Sequence, residues 1–89
     1  MLHNNKDLQR FERAVGEHIV YATYRIDGKI LYINYVEAPE ALRGSGEAAK
    51  LMADIAAHVR TQPGMKIIPI CGYAASWMRR HSEHHDLLA

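Results

Sequence analysis

Arg43-Gly44-Ser45-Gly46-Glu47-Ala48 is the segment of this 89-residue chain best suited to chemistry by residue type and spacing. It lies between an apolar run that reads as a strand and a run with helical periodicity, so it forms a helix entrance. A helix start carries free backbone N–H groups and a partial positive charge, and both attract phosphate. Gly44 and Gly46 have no side chain to keep an anion at a distance. Arg43 adds a guanidinium suited to phosphate oxygens. The same residues also suit a plain helix-entry turn with an exposed arginine, because short glycine motifs recur without function.

Two nucleotide motifs are tested against this segment. Gly44-Ser45-Gly46-Glu47-Ala48-Ala49 formally fits the dinucleotide pattern G-x-G-x-x-A. That fold needs an acidic residue at the end of the next strand to hold a ribose, and residues 65–70 supply none. The chain is also too short for paired nucleotide-binding halves. The pattern G-x-x-x-x-G-K-[ST] is absent, which excludes a P-loop ATPase or GTPase. His81, His84, His85 and Asp86 invite a zinc reading, since His81 and His85 are one helical turn apart. The cluster lies in a C-terminal tail, and a solvated helix end with histidines at its negative pole accounts for it equally. No metal is expected.

Composition sets the frame for these residues. Hydrophobic residues make up 48% and charged residues 24%, as in an ordinary folded chain. The expectation is one small domain over residues 1–89, with 1–7 as a loose end. A net charge of +1 gives no general drive toward nucleic acid or membrane. No apolar run approaches the ~20 residues of a membrane span, and the first residues lack an apolar signal core. The single cysteine rules out an internal disulfide. Together these features point to a cytoplasmic protein.

Several elements must position the glycine turn. Residues 8–15 suit either a short strand or a helical turn. Residues 18–26 are rich in Ile, Val, Tyr and Thr and read as a strand. Asp27-Gly28 signals a tight hairpin into a partner strand over 29–37. That strand is apolar on both faces and is expected to be central and covered on both sides. Residues 47–60 form the clearest helix, with Ala48, Leu51, Met52, Ile55, Ala56 and Val59 as its apolar face. Its Glu47, Lys50, Asp54 and His58 are expected to face water. Residues 65–70 read as a strand parallel to 29–37 through this crossover. Residues 73–81 read as a second helix with Trp77 and Met78 in the core, and 82–89 as a polar tail. The fold class is α/β, with a small, mixed, mostly antiparallel sheet and two helices.

The turn also fits the acetyl-CoA signature [QR]-x-x-G-x-[GA], and here the chain resembles the GCN5-related N-acetyltransferases. Ala38-Pro39-Glu40-Ala41-Leu42-Arg43-Gly44, Ile68-Pro69-Ile70-Cys71-Gly72-Tyr73 and Met78-Arg79-Arg80-His81 are similar to a subfamily of very short members. Those members carry a VxPxCxYV strand end and an RRHPEY tail. The similarity runs from about Phe11 to Leu87. It implies a mixed sheet that splays to hold acetyl-CoA between the strand before the glycine turn and the strand ending at Ile70. Val36, Ala38, Arg43, Gly44, Ser45, Gly46, Glu47 and Ala48 are the cofactor-binding residues it implies, with backbone N–H groups of 43–48 on the pyrophosphate. The chain departs from the pattern in three places. Tyr35-Val36-Glu37-Ala38-Pro39 stands where His-Thr-x-Val-Pro is usual, Ser82 stands in place of proline, and Glu47 occupies an apolar slot. Glu47 sets a negative charge at the pyrophosphate end, although it also suits the helix dipole.

Three side chains then become catalytic candidates. Cys71 falls where the resemblance places the thioester, and it is either a nucleophile or a small packing residue. Glu37 ends the central strand beside that site, as a base acting through water or as an ordinary exposed charge. Tyr73 is either a proton donor to the leaving thiolate or a core-edge aromatic. The function expected is transfer of acetyl from acetyl-CoA to an unspecified amine, directly or through Cys71. The chain has little room for the elements that normally build an acceptor pocket. A non-catalytic acyl-CoA-binding module is therefore the alternative, and a cofactor-free interaction domain stands behind it.

Overall fold

The computed structural model describes residues 2–89. Five strands form one sheet in the order β1-β2-β3-β4-β5: β1 Leu2–Asn5, β2 Arg10–Val15, β3 His18–Asp27, β4 Ile30–Glu37 and β5 Lys66–Pro69. The first four pair antiparallel in succession, and β4 pairs β5 in parallel. Two α-helices, α1 Glu47–Arg60 and α2 Gly72–Arg80, pack on the sheet together with short 3-10 helices at Glu40–Leu42 and Ser82–Leu87. The fold class expected from the sequence is the one found.

Both two-residue hairpins place glycine first in the loop. Val15 faces His18 across Gly16-Glu17, and Asp27 faces Ile30 across Gly28-Lys29. Gly16 and Gly28 have φ of 60° and 62°, a conformation that side chains disfavour and that matches the sheet's own twist. The hairpin signal at Asp27-Gly28 is therefore right in place, with the loop one residue further on.

The core lies on one face of the sheet. Phe11, Val20, Ala22, Leu31, Ile33 and Ile67 meet Leu51, Met52, Ile55 and Val59 of α1 and Ala74, Trp77 and Met78 of α2. The expectation that β4 is covered on both faces is corrected here. Its Leu31 and Ile33 are fully buried, but among the described residues no helix covers the opposite face, where Tyr35 is half exposed. Aromatic and arginine side chains shield that face instead: Arg25 lies 3.7 Å above the Tyr32 ring and Arg10 4.4 Å above Tyr21. Apolar bodies with polar tips let both sides of a strand look hydrophobic in sequence.

Other corrections share this non-local origin. The segment 2–5, expected to be loose, pairs with β2; Met1 lies outside the described residues. Tyr24 donates its hydroxyl hydrogen to Asn4 Oδ1 at 2.6 Å, so polar residues serve as strand because of their partner. Residues 8–15 resolve as strand from Arg10 onward. The tail is no solvated end: Leu87 is 5% exposed in the core, and Leu88 bridges to Ile67 at the β5 edge.

Candidate functional site

The sheet opens where β4 and β5 part. Their register ends at Ile33 opposite Pro69. The N–H groups of Ile70 and Cys71 both converge on the Ile33 carbonyl, at 2.9 and 3.2 Å. Beyond that point β4 continues beside β3, while the other chain turns away into α2. A β-bulge helps drive the split. Thr23 pairs with Tyr35 and Tyr24 with Ile33, leaving Asn34 as an extra residue. A bulge of this kind bends its strand and changes which side chains face inward. Val36 consequently packs toward the core, while Tyr35 and Glu37 fall on the open face.

The glycine turn stands beside this split. Pro39 starts the 3-10 helix Glu40–Leu42, and Gly44 and Gly46 follow with φ of 81° and 85°. A Cβ added at either glycine would meet nothing within 4 Å. The need for glycine here is thus conformational, and the space in front of it is open. Gly46 is the N-cap of α1 and provides no side-chain cap. The N–H groups of Gly44, Gly46, Glu47, Ala48 and Ala49 have no acceptor among the described residues. Those of Arg43 and Ser45 are spent inside the turn, on Glu40 and Leu42 carbonyls. The Ser45 hydroxyl also donates to the Leu42 carbonyl. Five donors are therefore available, and the set reaches one residue further into α1 than the sequence suggested.

Four of these five residues border a concavity of about 330 Å³, walled by Gly44 and Gly46, Ala48 and Ala49 of α1, Ala38, Leu42, Arg43 and Tyr73 of α2. The size suits a small-molecule site. Small apolar walls with a rim of free N–H groups match a slender chain ending in phosphates.

Of the residues singled out by the sequence, Ala38, Arg43, Gly44, Gly46, Ala48 and Tyr73 line this concavity, and Val36, Glu37, Ser45, Glu47 and Cys71 do not. Arg43 reaches Glu37 at 3.5 Å and donates to the Ala38 carbonyl at 3.3 Å. Glu37 also accepts from the Tyr35 hydroxyl at 3.2 Å, and that carboxylate pushes the Tyr35 phenol up. Burial raises the Tyr73 phenol above its ordinary value, so it keeps its proton at neutral pH. Cys71 is the half-buried N-cap of α2. Ala49 is a wall residue that sequence reasoning missed, although its place in the first turn of α1 was a usable signal.

Glu47 is not the stray charge its position implied. Arg13 of β2 donates to it at 2.9 Å and to Asp54 at 2.9 Å, and Lys50 adds a contact at 3.1 Å. The Arg13 guanidinium, with Lys50, holds the Glu47 carboxyl below its ordinary value of 4.5. This clamp is complete above that value and is lost as pH falls through the lower folded one. Glu47 and Asp54, expected in water, are thus partly buried over β2, as is His58, whose ring lies 5.4 Å from Phe11.

The tail histidines have structural partners. His81 and His85 bond the Trp77 and Met78 carbonyls at 2.7 and 2.8 Å, and His81 stacks on Trp77. Asp86 pairs with Arg60 at 2.7 Å. Among the described residues no helix is long and apolar enough to cross a membrane.

A family model described as GCN5-related N-acetyl-transferase matches residues 10–87, nearly the whole chain. The chain belongs to the GCN5-related N-acetyl-transferase family. The strand split, the open glycine turn and the mixed sheet all agree with that membership. Family members generally use acetyl-CoA and an amine acceptor. No curated protein is similar enough to this chain to count as a match.

Proposed function

We propose that this chain binds acetyl-CoA at the glycine turn and transfers its acetyl group to an amine. One observation carries the reading: free N–H groups of Gly44, Gly46, Ala48 and Ala49 border an apolar concavity that Ala38, just past β4, and Tyr73 of α2 also wall. Phosphate needs the first feature, and a pantetheine chain needs the second. Gly44, Gly46, Glu47, Ala48 and Ala49 supply backbone donors to the pyrophosphate, with Arg43 at the rim. Ala38 and Leu42 wall the chain that follows. When bound, acetyl-CoA supplies a thioester carbonyl open to attack by an amine.

The roles of the side chains follow from their positions. Tyr73 keeps its phenolic proton and donates it to the departing thiolate. Glu37 sits on the open sheet face, with Tyr35 beside it, and accepts the proton that the attacking amine must lose, through water. Cys71, like Glu37, lies outside the concavity, but it packs against the core at the start of α2, and in this reading the amine attacks directly.

Calorimetry with acetyl-CoA and with desulfo-CoA tests the binding step, and both should bind if the phosphates provide the main hold. Absence of binding at millimolar ligand would sink the proposal. Tyr73→Phe is expected to lower kcat about a hundredfold with little change in KM. Cys71→Ala should bind and transfer at the wild-type rate. Mass spectrometry after incubation with acetyl-CoA checks the alternative route. An acetyl adduct on the wild type, absent from Cys71→Ser and removed by hydroxylamine, would mean that Cys71 carries the group first. Binding without transfer to any amine would make the chain a non-catalytic acyl-CoA-binding module. The hold that Arg43 and Tyr35 keep on Glu37 favours that second reading.

A further inference from the structure

We propose that Arg13, which lines no part of the concavity, is a positioning residue that makes the glycine turn competent for phosphate. Its register opposite Val20 sets it on the helix-covered face of β2. Among the inward-facing positions of β2, β3 and β4 it is the one charged residue. A charge on such a face is costly unless paired and hydrogen-bonded. Arg13 meets this demand through two carboxylates on α1. Its Nε bonds Glu47 in the first turn, and its guanidinium reaches Asp54 two turns later, each at 2.9 Å. The side chains of Arg13 and Glu47 are only 22% and 12% exposed, so solvent screens this pair less than a surface one.

Two consequences bear on the turn. The guanidinium grips α1 along its axis and ties its first turn to the sheet, which fixes where the free N–H groups of Gly46, Glu47, Ala48 and Ala49 point. It also cancels charge. Glu47 is the first residue of α1, so a bare carboxylate there would oppose an incoming phosphate at the same helix end. With Arg13 and Lys50 against Glu47 and Asp54, the four side chains carry no net charge. The electrostatic half of this inference rests on the proposed acetyl-CoA site; the tethering half does not.

The test uses Arg13→Met, Arg13→Lys and the double variant Arg13→Met/Glu47→Gln. Amide hydrogen exchange on the ligand-free protein reads the tether. Exchange at Lys50, whose N–H closes the first turn of α1 on the Gly46 carbonyl at 3.1 Å, should quicken at least tenfold in Arg13→Met, beyond any change in the central strands. Calorimetry with coenzyme A reads the charge. Arg13→Met should raise Kd at least tenfold, and Arg13→Lys by less. The double variant, which keeps the Glu47 N–H but removes its charge, should recover most of the lost affinity. A folded Arg13→Met with a lower melting temperature but unchanged exchange and unchanged Kd would overturn the proposal, since Arg13 would then be structural only. If Arg13→Met does not fold, the double variant must fold and bind more tightly than Arg13→Lys; weaker binding also overturns it. A wild type that fails to bind coenzyme A removes the proposed function, while the exchange result still decides the tether.

Discussion

Gly46→Asp is expected to weaken coenzyme A binding at least tenfold, about 1.4 kcal/mol. Two effects act together. Gly46 has φ of 85°, a region that costs an L-residue roughly 1–2 kcal/mol, somewhat less for Asp. That strain lowers stability but does not by itself discriminate against ligand. The second effect does. A Cβ at this position projects into open space, so the new carboxylate stands where the proposed site would receive the phosphates. Like charges about 5 Å apart repel by ~3 kcal/mol at an effective dielectric of 20, which makes tenfold a floor. Gly46→Ala separates the effects, because it carries the strain without the charge. Calorimetry on both variants should show near wild-type affinity for Ala, a large loss for Asp, and partial recovery of the Asp variant against salt. A folded Gly46→Asp that binds as well as wild type would place the phosphates elsewhere.

Phe11→Ala is expected to cost about 3–5 kcal/mol of stability, the range for deleting a buried aromatic. Phe11 is 1% exposed. Its ring stacks on Tyr24 at 4.5 Å and meets His58 of α1 at 5.4 Å. Truncation opens a cavity between β2, β3 and the helix, where rigid neighbours cannot collapse into it. A domain of this size has roughly 4–13 kcal/mol in total, so the loss takes a large share of it. Urea unfolding should show a much lower midpoint for Phe11→Ala and an intermediate one for Phe11→Leu. Leu8→Ala is the comparison, since Leu8 is 59% exposed and should change stability by no more than ~0.5 kcal/mol. A Phe11→Ala loss below ~1 kcal/mol would mean that α1 is not seated on this ring.

Local pattern made much of this molecule legible. The helix α1 announced itself through Leu51, Met52, Ile55, Ala56 and Val59, all buried as their 3.6-residue spacing required. The β3–β4 hairpin was readable from Gly28, because few residues accept the positive φ its loop needs. The glycine turn was readable for the same reason. Each of these rests on contacts within a few residues, and so each leaves a mark in a short window of sequence.

The remaining features depended on partners far along the chain. Nothing in Leu2-His3-Asn4-Asn5 favours a strand; β2 makes it one. Asn34 looks like any strand residue, yet the register between β3 and β4 makes it a bulge and turns Glu37 onto the open face. Glu47 read as a charge in the wrong slot because its partner, Arg13, lies 34 residues earlier on strand β2. Sequence by itself determined the two α-helices, the β3–β4 hairpin, the positive-φ glycine turn and the family resemblance. Tertiary structure alone decided which N–H groups remain free, which candidate side chains meet at the concavity, and that Glu47 is neutralised. The physical reason is that helix and turn preferences are local energies, whereas hydrogen-bond satisfaction and charge pairing are settled only when distant residues are brought together.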